Sequence, residues 1–212
     1  MAPKTALVVI DMQNFFESMT TTALPNIIRL ITHFTSTRAP IIFTQHGHTG
    51  AELTTTPSPN QLVRKWGPGG SIAAGSEDWQ IIEPLHRFLP PTYSGKAIPL
   101  GHSEPEPEGS AVNDWPKVVP KNTYDAFINT NLAQVLESAG VERVVVCGVM
   151  TDCCVDTTGR SAFNRGYETW LVEDASGSAN RKQHEAGLRG FGFAFGEVLR
   201  TGEVLDRLEM GR

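Results

Sequence analysis

Three residues far apart in the chain could act together chemically: Asp11, Lys121 and Cys154. A carboxylate can take a proton, an ammonium can hold a neighbouring negative charge, and a thiol that gives up its proton is a nucleophile. Asp11 closes the apolar run Ala6-Leu7-Val8-Val9-Ile10, and Lys121 follows Lys117-Val118-Val119-Pro120. Cys154 comes after Val144 to Val149, inside GVMTDCCVDTTGRSAF, residues 148 to 163. Taken singly, each has a plainer reading. Asp11 could cap the segment Met12 to Phe16, Lys121 could be a surface lysine, and Cys153 and Cys154 could fill core space, as cysteine often does. A thiol in the first turn of a helix, however, feels the positive end of the dipole and unpaired backbone N–H groups. Its pKa is then expected to fall below the free value of about 8.5. The same N–H groups could hold the oxyanion of a tetrahedral intermediate. Neighbours on an α-helix point about 100° apart, so Cys153 and Cys154 are not expected to face one crevice.

Positioning these groups falls to alternating elements. The runs Ala6 to Ile10, Ile41-Ile42-Phe43, Val144 to Cys147 and Trp170-Leu171-Val172 are continuously apolar, which suits strands buried on both faces, and Val118-Val119 is a shorter candidate. Between them Ile27, Leu30, Ile31 and Phe34 share one helical face, as do Leu132, Val135, Leu136 and Ala139, with Gly140 and Gly166 where helices would stop. Strands alternating with helices predict an α/β fold, with a parallel sheet covered on both sides by right-handed crossovers. In such a sheet ligands bind beyond the carboxyl ends of the strands, where the strand order reverses. Periodicity does not supply that order.

From about Glu52 to Trp115 the alternation breaks. This stretch holds most of the prolines, GPGG at 67 to 70 and Glu-Pro-Glu-Pro-Glu at 104 to 108, and it reads as a long excursion with one helix over roughly Glu77 to Leu89. Such segments cover a site, join an interface, or simply lie on the solvated surface. Its tryptophans, Trp66, Trp79 and Trp115, would line a pocket or an interface, or serve as buried anchors. Gly190-Phe191-Gly192 with Gly196 lacks the spacing and the place of a dinucleotide loop, so it reads as backbone packing.

The 212 residues suffice for one domain, 1–212, with a genuine core. With 40% hydrophobic and 19% charged residues the chain is globular in composition. A formal charge of −5 without a basic cluster argues against nucleic acid, and no apolar stretch reaches the length of a membrane span. Three cysteines, two of them adjacent, do not make a disulfide framework. MAPKTALVVIDMQ reads as a first strand and not as a signal peptide, so a reducing, cytoplasmic setting is expected.

ALVVIDMQNFF, PKNTYDAFINTNL and VCGVMTDCCVDTTGRSAFNRGYETWLVEDA, in this order and spacing, resemble the three signature blocks of the isochorismatase-like cysteine hydrolases. The resemblance covers nearly all of the chain outside the excursion. It implies a three-layer α-β-α fold on a six-stranded parallel sheet, order 3-2-1-4-5-6, that brings the ends of strands one, four and five together. It also implies a catalytic set of Asp11, Lys121 and Cys154, with Cys154 the nucleophile and Cys153 structural. A cis peptide between Val149 and Met150 would aim the Met150 and Cys154 N–H groups at an oxyanion. Relatives of this kind are commonly homo-oligomers, and this chain is expected to be one and to act on a small molecule without a cofactor.

The resemblance leaves two chemistries. For an amide, Asp11 would take the thiol proton and Cys154 attack the carbonyl. For isochorismate, an enol ether and the leading substrate on the family's name, Asp11 in its acid form would protonate the vinyl carbon. Lys121 opposes that acid form, so desolvation by Phe15, Phe16 and a lid would have to restore it. A non-catalytic small-molecule binding protein on the same scaffold is a third reading. In the nicotinamidase branch a divalent metal is bound through an Asp-x-His pair and a further histidine. Here His46 stands in place of the aspartate, His48 matches, and the next histidine is His86, so the third ligand is missing and no metal is expected, a His46/His48 metal being the lesser alternative. Gln45 and His48 are candidate substrate contacts, with Phe15 and Phe16.

Overall fold

The computed structural model describes residues 2–101 and 114–211. The apolar runs form six parallel strands, β1 (Thr5–Ile10), β2 (Ile41–His46), β3 (Lys117–Lys121), β4 (Arg143–Val149), β5 (Glu168–Gly177) and β6 (Glu197–Leu199), in the order β3-β2-β1-β4-β5-β6. The helices are α1 (Glu17–Thr20), α2 (Leu24–Ser36), α3 (Gly50–Thr54), α4 (Gln61–Trp66), α5 (Leu132–Ser138), α6 (Asp156–Asn164), α7 (Arg181–Ala194) and α8 (Thr201–Glu209).

Strand side chains alternate between two cores, as the pleat requires. Leu7, Val9, Phe43 and Val145 pack under Ile27, Leu30, Ile31 and Phe34 of α2 and Val204 of α8. Ala6, Val8, Val144 and Val146 pack under α5, α6 and α7 through Leu132, Leu136, Ala162 and Phe191. Both faces of the sheet are thereby removed from water, which accounts for runs apolar at every position. Pro120 is tolerated within β3 because β3 is an edge strand.

The excursion departs from expectation. Instead of a helix over Glu77 to Leu89 there is a short 3-10 turn at Glu83–Phe88. Ile81 is taken into an antiparallel bridge with Gln13, and Pro84, which has no N–H to give an earlier turn, sits in the first turn of Glu83–Phe88, so no helix runs through from Glu77. The same stretch contains α3, closed by a capping box between Thr49 and Glu52, and α4, capped by Asn60. The Glu-Pro-Glu-Pro-Glu segment lies outside the described residues. Gly190, Gly192 and Phe191 belong to α7, with Phe191 buried against Gly159.

Candidate active site

The strand order reverses between β1 and β4, and the site opens at their carboxyl ends. Asp11 leaves β1 with φ 48°, a left-handed conformation that aspartate adopts more readily than most residues. Gly148, φ 112°, lets β4 pass β1 there, since a Cβ would lie 2.2 Å from the Ile10 carbonyl oxygen. The Val149–Met150 peptide is cis, as the resemblance implies. Beyond it Thr151–Val155 winds as a π-helical turn, with the Val155 N–H donating to the Met150 carbonyl at 3.1 Å, before α6 begins. Turns of this width are frequent at functional sites.

Lys121, the last residue of β3, extends past β2 to both partners. Its Nζ lies 2.7 Å from Asp11 Oδ2, 3.3 Å from Cys154 Sγ and 2.9 Å from the Thr123 carbonyl oxygen, with Lys121 and Asp11 both wholly buried. The ends that converge are therefore those of strands one, three and four, correcting the expectation of one, four and five; a four-carbon side chain spans the intervening strand. Thr44, unnoticed in the sequence, holds Asp11 twice: its hydroxyl donates to Oδ1 at 2.6 Å and accepts the Asp11 N–H at 3.1 Å. Burial alone would lower the Lys121 pKa, but Asp11 and Cys154 outweigh it and keep the ammonium charged. Cys154 corrects the expectation drawn from the helix dipole. Burial pushes its thiol up, Lys121 opposes this, and Asp11 adds to it, also through a hydrogen bond, so the resting sulfur keeps its proton beside a base. Cys153, half-buried and flanked by Asp152 and Asp156, is pushed up to about 11 by burial first and those carboxylates second.

Above the thiol lies a cavity of about 320 Å³. Phe15, Phe16, Met150 and His48 line it. Cys153 and Cys154 both border it, contrary to the expectation that neighbours on a helix would not face one crevice. Gln45 does not reach it. Strand alternation turns Gln45 to the opposite face of β2 from Thr44 and His46, where it borders a separate cavity of about 440 Å³ and donates to the Trp79 carbonyl and the Tyr93 hydroxyl, both at 2.9 Å. The excursion supplies Leu62, Trp66 and Ile72 as walls, and Trp66 Nε1 donates to the Tyr124 hydroxyl at 2.8 Å. Trp79 is instead a buried anchor, and Trp115 borders a third cavity near Arg38 and Arg87. Alternation along β2 could have pointed to Thr44, whereas nothing local marks Leu62 or Ile72 as cavity walls.

His46 and His48 meet edge to face, with ring centroids 4.9 Å apart. Both are held below the ordinary imidazole pKa, chiefly by burial and then, for His46, by Lys121. His86 is turned away, with Nε2 2.6 Å from the Ile81 carbonyl. Among the described residues no three His, Cys, Asp or Glu side chains form a metal-holding group, whereas a catalytic zinc site is built on three protein ligands. Nor is any helix of the described residues long and apolar enough to cross a membrane.

This fold and site define a class, a doubly wound parallel-sheet protein with a cysteine beyond the central strands. Residues 5–92 and 97–203 match the family described as the isochorismatase domain, and the chain belongs to that family of hydrolases. It is 33% identical to Nicotinamidase 3 of Arabidopsis thaliana over 90% of this chain and 81% of the relative. It is 28% identical to the ureidoacrylate amidohydrolase of Variovorax paradoxus (strain S110) over 82% of this chain and 69% of that one. The fold is shared with a cysteine hydrolase from Pseudomonas syringae pv. phaseolicola 1448A at a TM-score of 0.74, with 23% identity covering 99% of this chain and 94% of the other.

Proposed function

We propose that the protein hydrolyses the C–N bond of a small amide through a thioester on Cys154. The observation that carries this is the contact of one ammonium with both a carboxylate and a thiol, at 2.7 and 3.3 Å, beneath a cavity. Asp11 takes the thiol proton as sulfur bonds to the substrate carbonyl carbon, while the N–H groups of Met150 and Cys154 receive the oxyanion. Collapse of the intermediate breaks the C–N bond, and the proton held by Asp11 passes to the leaving nitrogen. Water, deprotonated by Asp11, then attacks the thioester, and the carboxylic acid leaves as the thiol is restored. Lys121 stays protonated throughout and keeps base and nucleophile together.

Two relatives carry names of amide-hydrolysing enzymes, which supports a small amide over isochorismate, the substrate that the sequence reading put first. The geometry favours the same order. Enol-ether cleavage needs Asp11 to give a proton, whereas its two oxygens face donors, the Thr44 hydroxyl at 2.6 Å and the Lys121 ammonium at 2.7 Å, an arrangement suited to a proton acceptor. The test is mass spectrometry of the protein during turnover of an amide panel. An adduct of the acyl mass on Cys154, absent in Cys154→Ala, is expected; amide turnover surviving in Cys154→Ala would overturn the proposal.

A further inference from the structure

We infer that the cavity above Cys154 admits flat, uncharged amides and turns away those that carry a carboxylate. The amide-hydrolase reading supplies the scissile group; the discrimination comes from where the charges of the site are spent. Among the described residues no lysine or arginine borders the cavity, and Lys121, the cation behind Cys154, is wholly buried. Its ammonium is held in an ion pair with Asp11 at 2.7 Å and by hydrogen bonds to the Thr123 carbonyl at 2.9 Å and Cys154 Sγ at 3.3 Å, and so serves the site's own groups. His46 and His48 border the same cavity as neutral imidazoles, and their Nδ1 atoms have no hydrogen-bond partner among the described residues. They offer hydrogen bonds but no charge. Behind His48 stands the carboxylate of Glu52, 4.0 Å from its Nδ1.

The remaining walls are largely apolar, and four of them, Phe15, Phe16, Trp66 and Tyr124, are aromatic faces suited to a planar ligand. One further ammonium is near. Lys65 lies 5.2 Å from the Trp66 ring centroid, but it is exposed and does not border the cavity, so water and salt screen it. The segment 102–113 contains three glutamates and neither lysine nor arginine, so its sequence has no such cation to contribute. A carboxylate entering this cavity would lose its hydration without gaining a counter-charge.

Two matched pairs test the inference on the intact protein. The first is turnover of benzamide against 4-carbamoylbenzoate. The second is calorimetric binding of acetophenone against 4-acetylbenzoate, whose ketone cannot be hydrolysed. The neutral member is expected to be favoured at least about 100-fold in each pair, and Lys65→Met is expected to leave acetophenone binding unchanged. Comparable binding of both ketones, or of neither, overturns the inference, and anion binding that disappears in Lys65→Met would assign recognition to the rim instead. If neither amide is turned over, the hydrolase reading is what fails, and the ketone pair still decides the discrimination.

Discussion

Replacing Lys121 by methionine keeps most of the side-chain volume and removes the charge. The carboxylate of Asp11 is then left wholly buried with the Thr44 hydroxyl and the neutral Cys154 thiol as its side-chain donors. Breaking a buried ion pair from one side costs about 3–5 kcal/mol, because the surviving charge has lost its compensation. With a urea slope of about 2 kcal/mol per M, the unfolding midpoint of Lys121→Met should fall by roughly 2 M. Asp11→Asn with Lys121→Met removes both charges, and most of the lost stability should return although activity does not. The assay is urea denaturation at pH 7.5 followed by tryptophan fluorescence for the wild type, both single variants and the double variant. A cost below about 1 kcal/mol for Lys121→Met, or a double variant as unstable as the sum of the singles, would refute the view that mutual charge compensation holds this site together.

Thr44→Val should lower kcat by about 10- to 100-fold, the worth of a hydrogen bond to a charged group, without changing KM, since Thr44 does not border the cavity; Thr44→Ser should restore the rate. Cys153→Ser should change kcat/KM by less than about tenfold, whereas Cys154→Ser should abolish it, because Asp11 and Lys121 engage Cys154 while Cys153 is flanked by the carboxylates of Asp152 and Asp156. Burial alone would lift the Glu52 carboxyl, but hydrogen bonds from Asn60, Thr49 and Asn122 outweigh it and hold the pKa below the ordinary value. Its contribution is thus present above the unfolded-state value of about 4.3 and lost as pH falls through the depressed folded value. Glu52→Gln should therefore be less stable than wild type at pH 7, in thermal melts, by a margin that shrinks on acidification below the ordinary range.

Much of this architecture was legible because burial on both faces leaves unbroken apolar runs, and β1, β2, β4 and β5 sit where those runs are. β6, three residues long, carries too little pattern to be noticed. The strand order came from the signature blocks and not from periodicity, because side-chain alternation says which face a residue takes but not which strand lies beside it. That is also why Lys121 was assigned to the wrong set of strand ends: its reach across β2 is a property of the side chain and not of the backbone. Gln45 was misplaced for the opposite reason, since the period of two along β2 already separates it from Thr44 and His46. The acidity of Cys154 could not be read locally, as desolvation by the surrounding fold outweighs what a helix start offers. The π-wound turn depends on packing from outside it, including the approach of α7 at Gly187, where a Cβ would fall 2.8 Å from the Asp152 Cα.

Asp11, Lys121 and Cys154, the groups proposed to react, are mounted on the rim of the central sheet, whereas Leu62, Trp66, Ser71 and Ile72 enter from a stretch of chain outside that sheet. Machinery and mould are thus separable parts. Exchanging roughly residues 49–73 for the equivalent stretch of a homologue should hand over that homologue's taste in substrates while the reactive trio continues to work as before, and descendants of one ancestor could diversify by that path without rebuilding the engine.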